Sequence, residues 1–132
     1  VETWLATAFP DSLLTEGSNL DEPEERTFFR SLFAKYVEPV LNFKLDAEGY
    51  KELIPIGDFN GVKSLCNLLD VLVLGGVTND DPLSKAALGD AYNPLAEKKF
   101  VFCMVWSVCA AATEEGRIRM DSFVRDLALI HI

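Results

Sequence analysis

The sequence predicts an all-α fold, a small helical bundle of about five helices around a buried central helix at 94–112. Three observations carry this. The stretch FVFCMVWSVCAAA (100–112) has thirteen residues, of which only Ser107 is polar. Elsewhere apolar residues recur with the 3.6-residue period of a helix, as in Phe28, Phe29, Leu32, Phe33, Tyr36, Val37, Val40 and Leu41. No stretch alternates convincingly with the two-residue period of a half-buried strand.

The elements follow in order. Trp4, Leu5 and Ala8 share a helical face in residues 1–8, and Phe9-Pro10 stops that helix. The second helix starts near Pro23, with Glu24 and Glu25 complementing its dipole. Pro39 is expected to kink that helix or split it in two, because it removes a backbone donor. Residues 46–58 form a connector with a short extended piece around Leu53–Ile56. Asp58 is the expected N-cap of the next helix, whose buried face is Phe59, Val62, Leu65, Cys66, Leu69, Leu72 and Val73. Gly75-Gly76 ends it. Residues 77–93 form a second loop with room for one helical turn at SKAALG, and Asn93-Pro94 opens the central helix. Trp106 and Met104 are assigned to the core with that run. TEEG (113–116) turns the chain, and Asp121 leads into a last helix with Phe123, Val124, Leu127 and Ile130 on one face.

A length of 132 residues bounds the chain to a single domain, 1–132, with enough material for a core without disulfides or metal. The net charge of −9 argues against nucleic acid, which needs a basic patch, and against an anionic membrane surface. From Phe100 to Ala112 a helix would run about 20 Å, too short for a bilayer, so the run belongs to a core helix of a soluble protein. The acid is uneven: residues 1–25 hold seven Asp and Glu and no Lys or Arg. The segment 10–25 is accordingly expected to be an acidic flexible loop. Cys66, Cys103 and Cys109 lie in apolar runs without any CxxC, and His131 is the sole histidine, so no zinc site is expected and the thiols are expected to be free, in a cytosolic setting. The chain opens on VETWLATAF, without Met and without a signal-peptide pattern, and is expected to be a piece of a longer polypeptide.

Catalytic patterns are missing. None of the eight glycines is followed by lysine, so there is no phosphate loop, and neither GxSxG nor HExxH occurs. Asp80-Asp81 and Glu114-Glu115 read as solvated turns, and no catalytic residue is assigned. Cys103 and Cys109, six apart, fall on different sides of a helix. One feature points to an anion: Lys63, within the first turn or so of a helix capped by Asp58, whose free N–H groups and dipole attract phosphate. The alternative is a surface lysine on an amphipathic helix. At this level two other classes stay open, a free-standing helical adaptor and a small helical enzyme using the carboxylates of 46–52 or 114–121.

LFAKYVEPVLNF, IPIGDFNGVKSLCNLLDVL, KKFVFCMVWSVCAAA and MDSFVRDL together resemble the dynein heavy chains. The likeness is to the helical small, or lid, subdomain after the second AAA+ module of the motor ring. ETWL (2–5) looks like the family's Ser-Trp-Leu motif. Leu32, Phe33, Tyr36, Val37 and Pro39 follow its Leu-Phe…Tyr-Val…Pro helix. Pro55, Ile56, Asp58, Phe59, Asn60, Val62, Ser64, Leu65, Leu68 and Leu69 follow the next. Phe100, Phe102, Trp106 and Ser107 resemble a Phe-x-Phe…Trp-Ser helix, and Phe123, Arg125 and Leu127 approximate the family's ending. The resemblance implies a part of an ATP-driven microtubule motor that moves as a rigid body and is not catalytic by itself. It implies ATP or ADP in the intact motor and none in this piece, with Lys63 and Asn60 facing nucleotide. Lysine stands there where arginine is the commoner sensor. It further implies neighbouring AAA+ large subdomains of the same chain and, through the motor, microtubules as partners, with the isolated piece a monomer. The SLC and WS variants lean towards axonemal rather than cytoplasmic dyneins, hence towards cilium and cytoskeleton.

Overall fold

A computed structural model describes residues 1–11, 21–46, 57–74 and 88–129. Their regular structure is helical: α1 (Glu2–Ala8), α2 (Glu24–Leu32), α3 (Glu38–Asp46), α4 (Asp58–Leu69), α5 (Tyr92–Val105) and α6 (Glu114–Ala128). No strand is found among the described residues. The expected extended piece at Leu53–Ile56, the Gly75-Gly76 stop and Ile130 lie outside them, as do most of the 10–25 and 77–93 segments. The described end of the latter holds a 3-10 turn, Gly89–Ala91, in which Gly89 takes a positive φ of 55°. The chain divides into two compact units, Val1–Lys51 with Ala112–Ile132, and Glu52–Ala111.

In the first unit α2 and α3 are joined by a π-helical turn, Phe33–Val37, closed by the Glu38 N–H donating to the Phe33 carbonyl. This is the form taken by the break expected at Pro39. Proline has no N–H to offer the Lys35 carbonyl, and its ring would press on it in a straight α-helix. A wider turn just before it shifts the hydrogen-bond register and lets the helix resume. The register keeps Phe33, Tyr36, Val37 and Val40 buried. The α6 helix packs on this rod, and Phe43 stacks on Phe123 with ring centroids 4.5 Å apart.

The α1 helix is held against α2 by an aromatic cluster. Phe29 stacks on Phe9 at 5.0 Å, and Trp4 meets Phe9, Phe29 and Phe33 at 6.0, 6.5 and 5.8 Å. Around it three acids of this part of the chain, Glu2, Asp11 and Glu22, meet two arginines. Arg26 pairs with Asp11 at 2.9 Å and donates to the Phe9 carbonyl, while Arg30 binds Glu2 through two nitrogens, at 3.1 and 2.7 Å, and also Glu22. Of the segment expected to be a flexible loop, Asp11 and Glu22 are thus ion-paired, and Glu24 and Glu25 are already helical.

Arg30 holds the Glu2 and Glu22 carboxyls below the ordinary glutamate value of 4.5, with the Thr27 hydroxyl adding to the effect at Glu22. A lowered folded-state value means stabilisation that is present above the unfolded value and lost as pH falls through the folded one. Arg30→Gln should therefore lower Tm slightly at neutral pH, and the gap to the parent should close as pH drops below 4.5. Melting curves across that range check it. A gap that widened in acid would contradict the assignment.

The α6 helix begins earlier than expected. TEEG does not precede it but starts it: Thr113, in extended conformation, accepts from the Gly116 N–H at 3.2 Å, and Glu114 and Glu115 occupy the first turn. A capping hydroxyl followed by acids is a helix start signal.

In the second unit α5 packs on α4 and on the π-helical turn Asp70–Leu74 that extends it. The α5 helix opens at Tyr92 rather than at Pro94, and closes at Val105 rather than Ala112. Ser107 ends it. Its hydroxyl donates to the Cys103 carbonyl at 2.7 Å, and the N–H groups of Val108 and Cys109 converge on the Met104 carbonyl. Such back-bonding serines bend a helix, and the branched Val101, Val105 and Val108 weaken it further. Cys109 consequently lies past the helix, so the helical argument separating it from Cys103 does not apply. No described helix is long and apolar enough to cross a membrane.

Candidate functional site

The α4 start is built by Gly57. Its carbonyl accepts from the Gly61 N–H at 2.9 Å, and it takes an extended conformation (φ −63°, ψ 147°) as the N-cap. Asp58, expected to be the cap, is instead the first helical residue. Gly57 has no side chain to bond the first-turn N–H groups, so they receive no bond from the N-cap residue. The first turn therefore keeps the positive end of the helix dipole.

Asn60 and Lys63 are both exposed and lie three residues apart, which makes them neighbours on the helix surface. They occupy the side opposite the buried Gly61, Leu65 and Leu69. Beside them stands Phe59, 79% exposed, four residues before Lys63. The sequence placed Phe59 in the core. The buried stripe of this rod instead runs Gly61, Leu65, Leu69, Val73 in steps of four, and Phe59 falls off it. Val62 and Cys66 are half-buried, and Leu72 is 41% exposed. A small residue at 61 in step with the leucines was the cue. The helix end thus presents an aromatic ring, an amide and an ammonium together.

Trp106 is also a correction. It was assigned to the core but is 63% exposed, while Met104 is fully buried. The buried side of the run is Phe100, Cys103, Met104, Ser107 and Val108, at helical spacing. Phe102, Val105 and Trp106 fall on the other side.

Other groups offer less. Burial pushes the Cys66 and Cys103 thiols up, which keeps them protonated and unreactive. Of the acids of 114–121, two form solvated pairs, Glu115–Arg119 at 3.3 Å and Asp121–Arg125 at 2.9 Å. The depression of about 440 Å³ beside Glu114, Glu115, Ile118 and Arg119 lies along the exposed side of one helix. Desolvated, paired carboxylates, which a small enzyme would need, are not found there. Residues 47–52, the bulk of the other carboxylate group, lie outside the described residues, as do Asp80 and Asp81.

Residues 29–132 match the model of the dynein heavy chain AAA lid domain. The chain belongs to that family. Human dynein axonemal heavy chain 2 is 40% identical to it over 96 residues, which is 73% of this chain. The mouse protein of the same name is 36% identical over 96 residues, and the Chlamydomonas reinhardtii dynein-1-alpha heavy chain of the flagellar inner arm I1 complex is 29% identical over 115. The chain spans about 2% of the length of each of these relatives. No solved structure matches it. These relatives are long heavy chains, which leaves the free-standing adaptor reading without support. The α1 helix and ETWL precede the matched residues.

Proposed function

We propose that this chain is the lid of an axonemal dynein heavy chain, placed after the second AAA+ module of an ATP-driven microtubule motor in the cilium. The observation that carries this reading is the 40% identity to human dynein axonemal heavy chain 2. The lid adjoins large AAA+ subdomains of the same chain and reaches microtubules only through the motor. Lys63 and Asn60 face the nucleotide held by a neighbouring large subdomain, where the α4 start adds its dipole to the lysine charge. A lysine offers a point charge rather than the bidentate fork of arginine. It therefore serves as a binding contact, not a catalyst. Nucleotide shifts the lid only as far as its contacts differ between lid positions.

The chain alone, lacking a phosphate loop, is a monomer that neither hydrolyses ATP nor binds it appreciably. Calorimetry with ATP should show no binding heat, and micromolar affinity would overturn the reading. In the intact heavy chain, Lys63→Ala should weaken nucleotide retention at this module by about tenfold, the scale of one charge-assisted contact. Unchanged retention would remove Lys63 from the site.

A further inference from the structure

We propose that the exposed side of α5 and the adjoining π turn form a docking surface for an acidic amphipathic helix. This goes beyond the lid reading, which names neighbours but neither the face nor the chemistry they present.

Phe102, Val105 and Trp106 stand at i, i+3 and i+4, and are 54%, 42% and 63% exposed. The Phe102 and Trp106 rings lie 6.2 Å apart and form one aromatic ridge. Val71 and Leu72 extend the apolar surface across the π turn. Between Leu72 and Phe102 a cleft of about 300 Å³ has room for a large apolar side chain. A contiguous apolar patch of this kind marks an interaction site, whereas scattered exposed apolar residues do not. The ridge and cleft suit the helix-in-groove mode, in which anchors at i and i+3 or i+4 enter a groove.

Charge selects the occupant. In a chain of net charge −9, the charged residues that line the cleft among the described residues are Lys98 and Lys99. Among the described residues neither enters an ion pair. A second copy of this chain would bring lysine pairs face to face, which like-charge repulsion disfavours. Of the acids among the described residues, Glu2, Asp11 and Glu22 pair with Arg26 and Arg30, Glu115 with Arg119 and Asp121 with Arg125. The complementary partner is a helix from outside this chain, with large apolar anchors one turn apart and Asp or Glu flanking them.

Two fluorescein-labelled peptides of about 16 residues, long enough to sample helix, test this. Both carry the same Leu/Phe face; one is flanked by glutamates and the other by lysines. The acidic peptide should bind the chain at least about tenfold tighter by anisotropy. With Lys98→Glu and Lys99→Glu together the order should reverse, while the helical circular dichroism stays that of the parent. Phe102→Ala should weaken both peptides. Equal binding of the two peptides, or no binding of the acidic one, would overturn the proposal. So would sedimentation showing the surface closed by a second copy.

Discussion

Replacing Phe100 by alanine is expected to destabilise the protein by about 3–5 kcal/mol, whereas Phe102→Ala should change stability by only about 0.5 kcal/mol. The two rings stand two residues apart in one apolar run, but Phe100 is fully buried and Phe102 is 54% exposed. Removing Phe100 takes away its transfer free energy and leaves a cavity among side chains such as Cys103 and Met104, which are themselves fully buried. Removing Phe102 returns an already wet surface to water. Against a total stability of about 5–15 kcal/mol, the first loss is enough to populate unfolded molecules at room temperature. Urea titration followed by Trp106 fluorescence, in a Trp4→Phe background so that one indole reports, checks it. Similar midpoints for the two variants would mean that α5 is not oriented as described.

The same pair shows what the sequence could reveal. The all-α class was legible because the Phe28–Leu41 stripe and the Leu65–Leu69 spacing repeat with a helical period, and every described element conforms. Which way the helix of the central run faces was not legible. With Phe, Val, Cys, Met and Trp on every side, hydropathy carries no period, so nothing distinguished Trp106 from Met104. The end of that helix was equally hidden, because it depends on the Ser107 hydroxyl choosing the Cys103 carbonyl. The α4 start went wrong by one residue, since Asp58 is a better capping residue than Gly57 by type alone. Phe59 was missed for a different reason: a large apolar residue beside a helix start was read as core, although Gly61 in step with Leu65 and Leu69 places it outside the stripe. Lys63 was legible from its place near a helix start and Asn60 from the family resemblance, and the two lie as exposed neighbours on α4. The ion pairs of Arg26 with Asp11 and of Arg30 with Glu2 and Glu22 join residues too far apart in sequence for a local pattern to show them.

Those pairs frame the second large effect. Phe29→Ala should also lower stability by about 3–5 kcal/mol, and its loss should be felt first in α1. That helix has seven residues, below the length at which a helix persists in water without tertiary support. Its support comes from Leu5 and from the cluster in which Phe29, fully buried, stacks on Phe9 and meets Trp4 edge-on. Arg30 adds two bonds to Glu2, but that carboxylate is exposed and screened by water, so the arginine is secondary to the ring. Alanine at 29 removes the surface on which Phe9 and Trp4 rest, and Arg30 alone should not hold α1 in place. In hydrogen-exchange measurements the amides of residues 5–9 should approach free-chain rates in Phe29→Ala and stay protected in Arg30→Gln. If the arginine variant released α1 and the phenylalanine variant did not, the helix would be held by charge rather than by packing. It would then detach on adding salt, which screens exposed ion pairs and leaves aromatic contacts intact.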